Sequence, residues 1–147
     1  MAEFTILYDG ACPLCRREVS FLERRDRRCN GDHPKLAFVD IDAPAYDPRA
    51  WQGVSYREAM GRIHGVDADG AVWRDLPVFR RAYGLVGLGW VYAPTTWPLI
   101  GSVAAAAYGL WARLRFVLTG RPGLDQLCAN REGSGLVNAS CRLGSEG

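Results

Sequence analysis

Phe4-Thr5-Ile6-Leu7-Tyr8-Asp9-Gly10-Ala11-Cys12-Pro13-Leu14-Cys15 is the stretch whose reading decides the fold. Phe4 to Tyr8 has the β-branched, aromatic and aliphatic composition of a strand, and Asp9-Gly10 stops it at once. From Pro13 to about Arg28 the apolar positions Cys15, Val19 and Leu22 recur at helical spacing, with Leu14 and Phe21 widening the stripe. Proline suits the first helical turn, where its missing N–H leaves no bond unmade. A strand therefore passes into a helix within a few residues, and two cysteines three positions apart lie at the junction.

Outward from this junction the elements follow in a simple order. Leu36 to Ile41 reads as a second strand, and Ser55-Tyr56-Arg57-Glu58 has the form of a capping box opening a short helix. Arg62 to Val66 and Ala71 to Trp73 flank Asp67-Ala68-Asp69-Gly70, a hairpin turn by composition. Asp75 is the expected N-cap of a helix with Pro77 in its first turn, running to about Tyr83. The order β-α-β-α-β-β-α predicts an α/β fold with a mixed sheet, in the thioredoxin-like arrangement. Residues 1–88 form that domain, residues 89–120 a helical extension packed on it, and residues 121–147 a flexible, cysteine-containing tail. In the extension, Thr96 is the expected cap of a long helix with Pro98 in its first turn. Val103, Ala107, Leu110, Leu114 and Val117 form its expected apolar stripe.

Bulk properties exclude several classes. A chain of 147 residues, 48% hydrophobic and 23% charged, is one ordinary globular domain. A formal net charge of +2 is too small to make nucleic acid or an acidic membrane the main partner. Arg24, Arg25, Arg27 and Arg28 crowd the end of the first helix, where cations complement the helix dipole, and no aromatics interleave with them. Trp90 to Ala112 carries no charge and is long enough to span a bilayer. Its prolines, glycines and alanines favour a helix packed on the sheet or on a partner over membrane contact. Met1-Ala2-Glu3 lacks a basic n-region, and the apolar run after it is too short for a signal peptide, so a cytoplasmic location is expected.

The five cysteines are Cys12, Cys15, Cys29, Cys128 and Cys141, an odd number with one close pair. In a reducing compartment such a pair means redox chemistry or metal rather than a disulfide framework. At a helix N-terminus the unpaired N–H groups and the dipole stabilise a thiolate. Cys12 is therefore the expected nucleophile and Cys15, read as the less exposed of the two, the expected resolving thiol. Pro13 fixes the backbone between them, and Arg16 and Arg17 are expected to add positive potential. Asp9 either forms the turn and caps the helix or relays a proton, capping being the favoured role. Asp40 and Asp42 end the second strand as solvated groups or, if buried, as a general base for Cys15. Zinc would need two further ligands; Cys128 and Cys141 lie far apart and His33 and His64 stand alone, so neither metal nor cofactor is expected. Cys29 reads as idle, whereas Cys128 and Cys141 could pair with each other or reach back to Cys12.

Leu7-Tyr8-Asp9-Gly10-Ala11-Cys12-Pro13-Leu14-Cys15 resembles the signature of the DCC family of predicted thiol-disulfide oxidoreductases, with Asp9, Cys12 and Cys15 as the Asp-Cys-Cys positions. Ile63 to Tyr83 also resembles that family, and the order of elements matches over roughly residues 4–118. The resemblance implies a thioredoxin-like fold and dithiol chemistry on a protein or low-molecular-weight thiol or disulfide. The Cys-Pro-x-Cys form resembles glutaredoxin too, which keeps a glutathione-linked variant open. The chain departs from well-studied thioredoxin-fold enzymes before the third strand, where Ala59-Met60-Gly61 stands in place of a cis-proline. The alternative is a non-enzymatic redox-sensing or partner-binding module of the same fold, possible membrane association included.

Overall fold

The computed structural model describes residues 2–92, 94, 97–120 and 123–132. Strand β1 (Phe4–Tyr8) leads into helix α1 (Pro13–Asn30), then β2 (Leu36–Asp40), a 3-10 turn at Pro48–Trp51 and α2 (Tyr56–Gly61). The hairpin β3 (His64–Asp67) and β4 (Val72–Arg74) is followed by α3 (Leu76–Leu85), α4 (Gly89–Tyr92), α5 (Pro98–Leu118) and α6 (Leu124–Glu132). The four strands form one sheet in the order β2-β1-β3-β4, with β1 parallel to β2 and the other pairs antiparallel. The βαβ unit, the hairpin and the helices on both faces make this a thioredoxin-like α/β fold, as the order of elements predicted.

Alternation along β1 feeds two cores, because successive side chains of a strand point to opposite faces. Phe4 and Ile6 join Leu22 of α1 and Val78, Ala82 and Tyr83 of α3. Leu7 faces the other way, onto Ile41, Tyr56, Ala59 and Met60. The Phe4 ring lies against Gly65 in β3, where any Cβ would collide with it. Each fully buried large apolar side chain contributes roughly 1.5–3 kcal/mol, and Leu7 and Ile41 are completely inaccessible. The capping box at α2 forms in both directions: the Ser55 hydroxyl accepts from the Glu58 N–H and the Glu58 carboxylate from the Ser55 N–H.

Three expectations change. Asp75 precedes α3 but does not cap it; its backbone lies at φ 60° and its carboxylate accepts from Arg62 Nη1 at 2.7 Å. At that backbone angle, outside the extended region of an N-cap, the side chain does not reach the first-turn N–H groups, and Oδ1 has no hydrogen-bond partner. Residues 124–132, expected as tail, form α6, which adds Leu127 and Cys128 to the core beside α2. The spacing of those two apolar residues is too sparse to show as a periodic stripe. The third change concerns α5. It starts at Pro98 as predicted, after Trp97; Thr96, the expected cap, lies outside the described residues. Its predicted stripe is largely its exposed face, with Val103 70% and Val117 78% accessible, while Tyr108, Ala112 and Arg115 face the domain. Polar anchors chose the inner face: the Ile63 N–H donates to the Tyr108 hydroxyl at 3.0 Å, and Phe79 packs on the Tyr108 ring. No described helix is long and apolar enough to cross a membrane.

Candidate active site

The turn after β1 is held from within and from its neighbour. Asp9 Oδ1 accepts from the Ala11 N–H at 3.0 Å, and the Cys12 N–H donates to the Asp9 carbonyl at 3.1 Å. Parallel pairing sets Tyr8 opposite Asp40, so the end of β2 lies beside the turn. From there Asp40 Oδ1 accepts from the Gly10 N–H and the Asp42 N–H, each at 2.9 Å. Gly10 is required by this approach, since an added Cβ would come within 2.5 Å of both Asp40 carboxylate oxygens. The turn delivers Cys12 to the N-cap of α1 with extended backbone (φ −82°, ψ 118°), and Pro13 opens the first turn. Asp9 thus forms the turn rather than capping α1, which carries no side-chain cap.

Burial of the two thiols is the reverse of the sequence expectation. Cys12 is only 1% exposed, whereas Cys15 is intermediate. Helical periodicity placed Cys15 on the inner face correctly, but it says nothing of an N-cap residue, whose backbone has not yet entered the helix. Both cysteines are free thiols and their side chains are hydrogen-bonded to each other. Burial pushes the Cys15 thiol up to about 12; the Arg115 guanidinium opposes this, while the bond to Cys12 and the charges of Cys12 and Asp9 add to it. Cys15 therefore keeps its proton at neutral pH.

The cation at the site comes from the far end of the chain. Arg115 Nη1 donates to Cys15 Sγ at 3.2 Å, and Nη2 donates to the Met60 carbonyl. Arg16, expected to serve here, is exposed on the outer side of α1 with Pro13, Ser20 and Arg24. As the residue immediately after Cys15 it is turned about 100° around the helix from that thiol's face. Arg17 does reach the cavity into which the sulfurs open. The only signal for Arg115 in the sequence is that it and Arg113 interrupt an otherwise uncharged helix. Asp9, 2% exposed, is the carboxylate whose charge acts on Cys15. Asp40 is half-buried and committed to the turn, so it positions the loop instead of facing Cys15.

Residues 6–121 match the DCC1-like thiol-disulfide oxidoreductase family. The chain belongs to that family. It is also similar to an uncharacterised chloroplastic protein of Arabidopsis thaliana, 42% identical over 127 residues, which is 86% of this chain and 58% of the relative. The chain thus spans less than two thirds of that relative's length. No solved structure matches it. Membership of the family supports a redox role.

The remaining candidates lie apart. Asp42 accepts from the Tyr56 hydroxyl at 3.1 Å. His64 is buried with Nδ1 2.9 Å from the Arg62 carbonyl, and burial pushes it below its ordinary value. Among the described residues no three His, Cys, Asp or Glu side chains are grouped to hold a metal ion. Cys29 is exposed and donates to the Val86 carbonyl at 3.1 Å. Cys128 is disulfide-bonded and half of a buried pair with Leu127 in the α2–α6 core, while Cys141 lies outside the described residues. Cys12 is free, so of the two pairings open to the tail cysteines the one reaching back to Cys12 is not made. No cis peptide bond occurs among the described residues, in keeping with the missing proline before β3.

The raised Cys15 value carries a stability consequence. A thiol whose folded-state value lies above its ordinary 9.0 contributes stability that is complete below 9 and is lost as pH rises towards about 12. Reduced protein is therefore expected to lose about 1.4 kcal/mol more per pH unit across that window than oxidised protein, in which Cys15 has no thiol to titrate. Raised tyrosines titrate in both forms and cancel. Urea unfolding of the two forms at pH 8 and pH 10.5 measures the difference; parallel pH dependence would show that Cys15 is not shielded.

Proposed function

We propose that the protein exchanges thiols and disulfides, with Cys12 as the attacking thiolate and Cys15 as the resolving thiol. The observation that carries this reading is the bonded pair itself: Cys15, kept protonated by burial, donates to Cys12 at the head of α1. A Cys12 thiolate gains from that hydrogen bond and from the helix N-terminus. Attack on a substrate disulfide leaves Cys12 in a mixed disulfide and releases one substrate thiol. Cys15 then gives its proton to Asp9, whose charge already reaches it, and attacks Cys12 Sγ while Arg115 stabilises the forming thiolate. The second substrate sulfur leaves with the proton, and Cys12 and Cys15 end as a disulfide.

The test is trapping. Read by peptide mapping at Cys12, pre-reduced Cys15→Ser protein is expected to accumulate a stable adduct there with a disulfide probe such as 5,5′-dithiobis(2-nitrobenzoate), whereas in wild type the pair releases two thiols and Cys12 keeps no adduct. An adduct found on Cys15 in Cys12→Ser protein but never on Cys12 would reverse the roles. A reducing compartment such as the cytoplasm suits this chemistry, because its thiol pool keeps the pair reduced.

The exposed apolar side chains of α5, among them Leu99, Val103 and Val117, favour a second reading. In it the dithiol senses redox state and the helix binds a partner, with no turnover.

A further inference from the structure

Cys12 is closed off from the open protein surface. Cys12 and Cys15 both line one cavity of about 530 Å³, bounded by the sheet, α1, α3 and α5. Its other walls are mainly apolar and aromatic: Leu14, Phe79, Tyr92, Tyr108 and Trp111. Leu14 and Trp111 are exposed, at 37% and 42%, whereas Cys12 at the far side is 1% exposed, so the cavity runs from the surface inward to that sulfur. The volume falls within the roughly 300–1,000 Å³ of small-molecule sites.

Resting on the dithiol reading above, we infer that the substrate is a small organic disulfide with apolar substituents, which enters this cavity to reach Cys12. Access is the first argument. A disulfide in a folded protein is flanked by backbone on both sides, and that bulk has to reach a sulfur that is only 1% exposed and lies on the wall of the cavity. Polarity is the second. Oxidised glutathione carries charged termini and several peptide groups, and desolvating them against Phe79, Tyr92 and Trp111 leaves most without partners. Apolar or aromatic substituents gain from the same walls. Most charged groups of the wall already have partners: Arg115 is bonded to Cys15 and Met60, Arg62 to Asp75, and Glu18 accepts from the Tyr83 hydroxyl, while Arg17 adds one cation.

The exchange balances without a further reagent for one turnover. The Cys12 thiolate attacks one sulfur of the substrate, the substrate S–S bond breaks, and the first substrate sulfur leaves and takes up a proton. Cys15 loses its proton and attacks Cys12 Sγ, and the second substrate sulfur departs with a proton. Two electrons pass from the cysteine pair to the substrate; the protein holds a Cys12–Cys15 disulfide and the substrate becomes two thiols.

Single-turnover rates of pre-reduced wild-type protein with dibenzyl disulfide, oxidised glutathione and insulin test the inference, each divided by the rate of free dithiothreitol with the same disulfide. Dibenzyl disulfide is expected to be favoured at least tenfold over both others. Equal normalised rates, or preference for glutathione or insulin, overturn the inference and leave the dithiol reading standing. No loss of the Cys12 and Cys15 thiols, mapped separately from the exposed Cys29, with any of the three overturns the dithiol reading itself. In Trp111→Ala, a change at a part-exposed position, the ratio of dibenzyl to glutathione rates is expected to fall fivefold or more. An unchanged ratio in that folded variant means the substrate does not use the cavity.

Discussion

Asp26→Ala is expected to destabilise the protein by about 3–4 kcal/mol, a large share of the roughly 5–15 kcal/mol that holds a domain together. Asp26 lies in the last turns of α1 and is 1% exposed. Its carboxylate accepts from the Leu36 N–H at 2.8 Å, the Lys35 N–H at 3.1 Å and Asn30 Nδ2 at 2.7 Å. It therefore ties the end of the first helix to the start of the second strand, the joint on which the βαβ unit closes. Alanine leaves two backbone donors without an acceptor, one in a buried bond, and opens a small void. Asparagine keeps one oxygen and is expected to lose about half as much. Urea unfolding midpoints of the three proteins measure this; an alanine variant within about 1 kcal/mol of wild type would mean water reaches the joint. The dithiol sits at the opposite end of α1, so exchange rates of the folded variant are expected to stay within about twofold of wild type.

Gly10→Ala is expected to destabilise by about 1–3 kcal/mol and to slow thiol–disulfide exchange by about tenfold. The new Cβ cannot share space with the Asp40 carboxylate, so either Asp40 swings out or the turn moves. If Asp40 swings out, the Gly10 and Asp42 N–H groups lose their acceptor. If the turn moves, Cys12 is displaced from the N-cap that activates it. Adding Asp40→Ala relieves the collision, and the double variant is expected to be no less stable than Asp40→Ala alone. Additive losses in that cycle, read from thermal unfolding, would show that the glycine and the carboxylate do not meet. Both changes spare the sulfurs themselves, which separates the role of the turn from that of the thiols.

Much of the fold was legible because local chemistry and tertiary structure agree. Asp9-Gly10, Pro13 and the spacing of Val19 and Leu22 define a strand–turn–helix junction that any packing would keep. Ser55 and Glu58 satisfy each other's backbone donors within one turn, so the start of α2 needed no distant partner. Asp75 does not cap α3 because the end of the hairpin sets its backbone at φ 60°, and its Oδ2 pairs with Arg62 across that hairpin; neither is a local property of the sequence. Helix α5 was misread for a related reason. With apolar residues on most sides, its periodicity could not select an inner face, and Tyr108 and Arg115 selected it through bonds to Ile63, Cys15 and Met60.

The sequence by itself determined that two cysteines stand at the head of a helix behind a tight acidic turn, since spacing, proline placement and turn residues are local properties. Tertiary structure alone decided what surrounds them. The guanidinium on Cys15 is 100 residues away in the chain, Asp40 reaches Gly10 only through parallel pairing, and the cavity exists only once α5 closes over α1 and α3. Those features depend on which surfaces meet, and short-range sequence pattern carries no information about that.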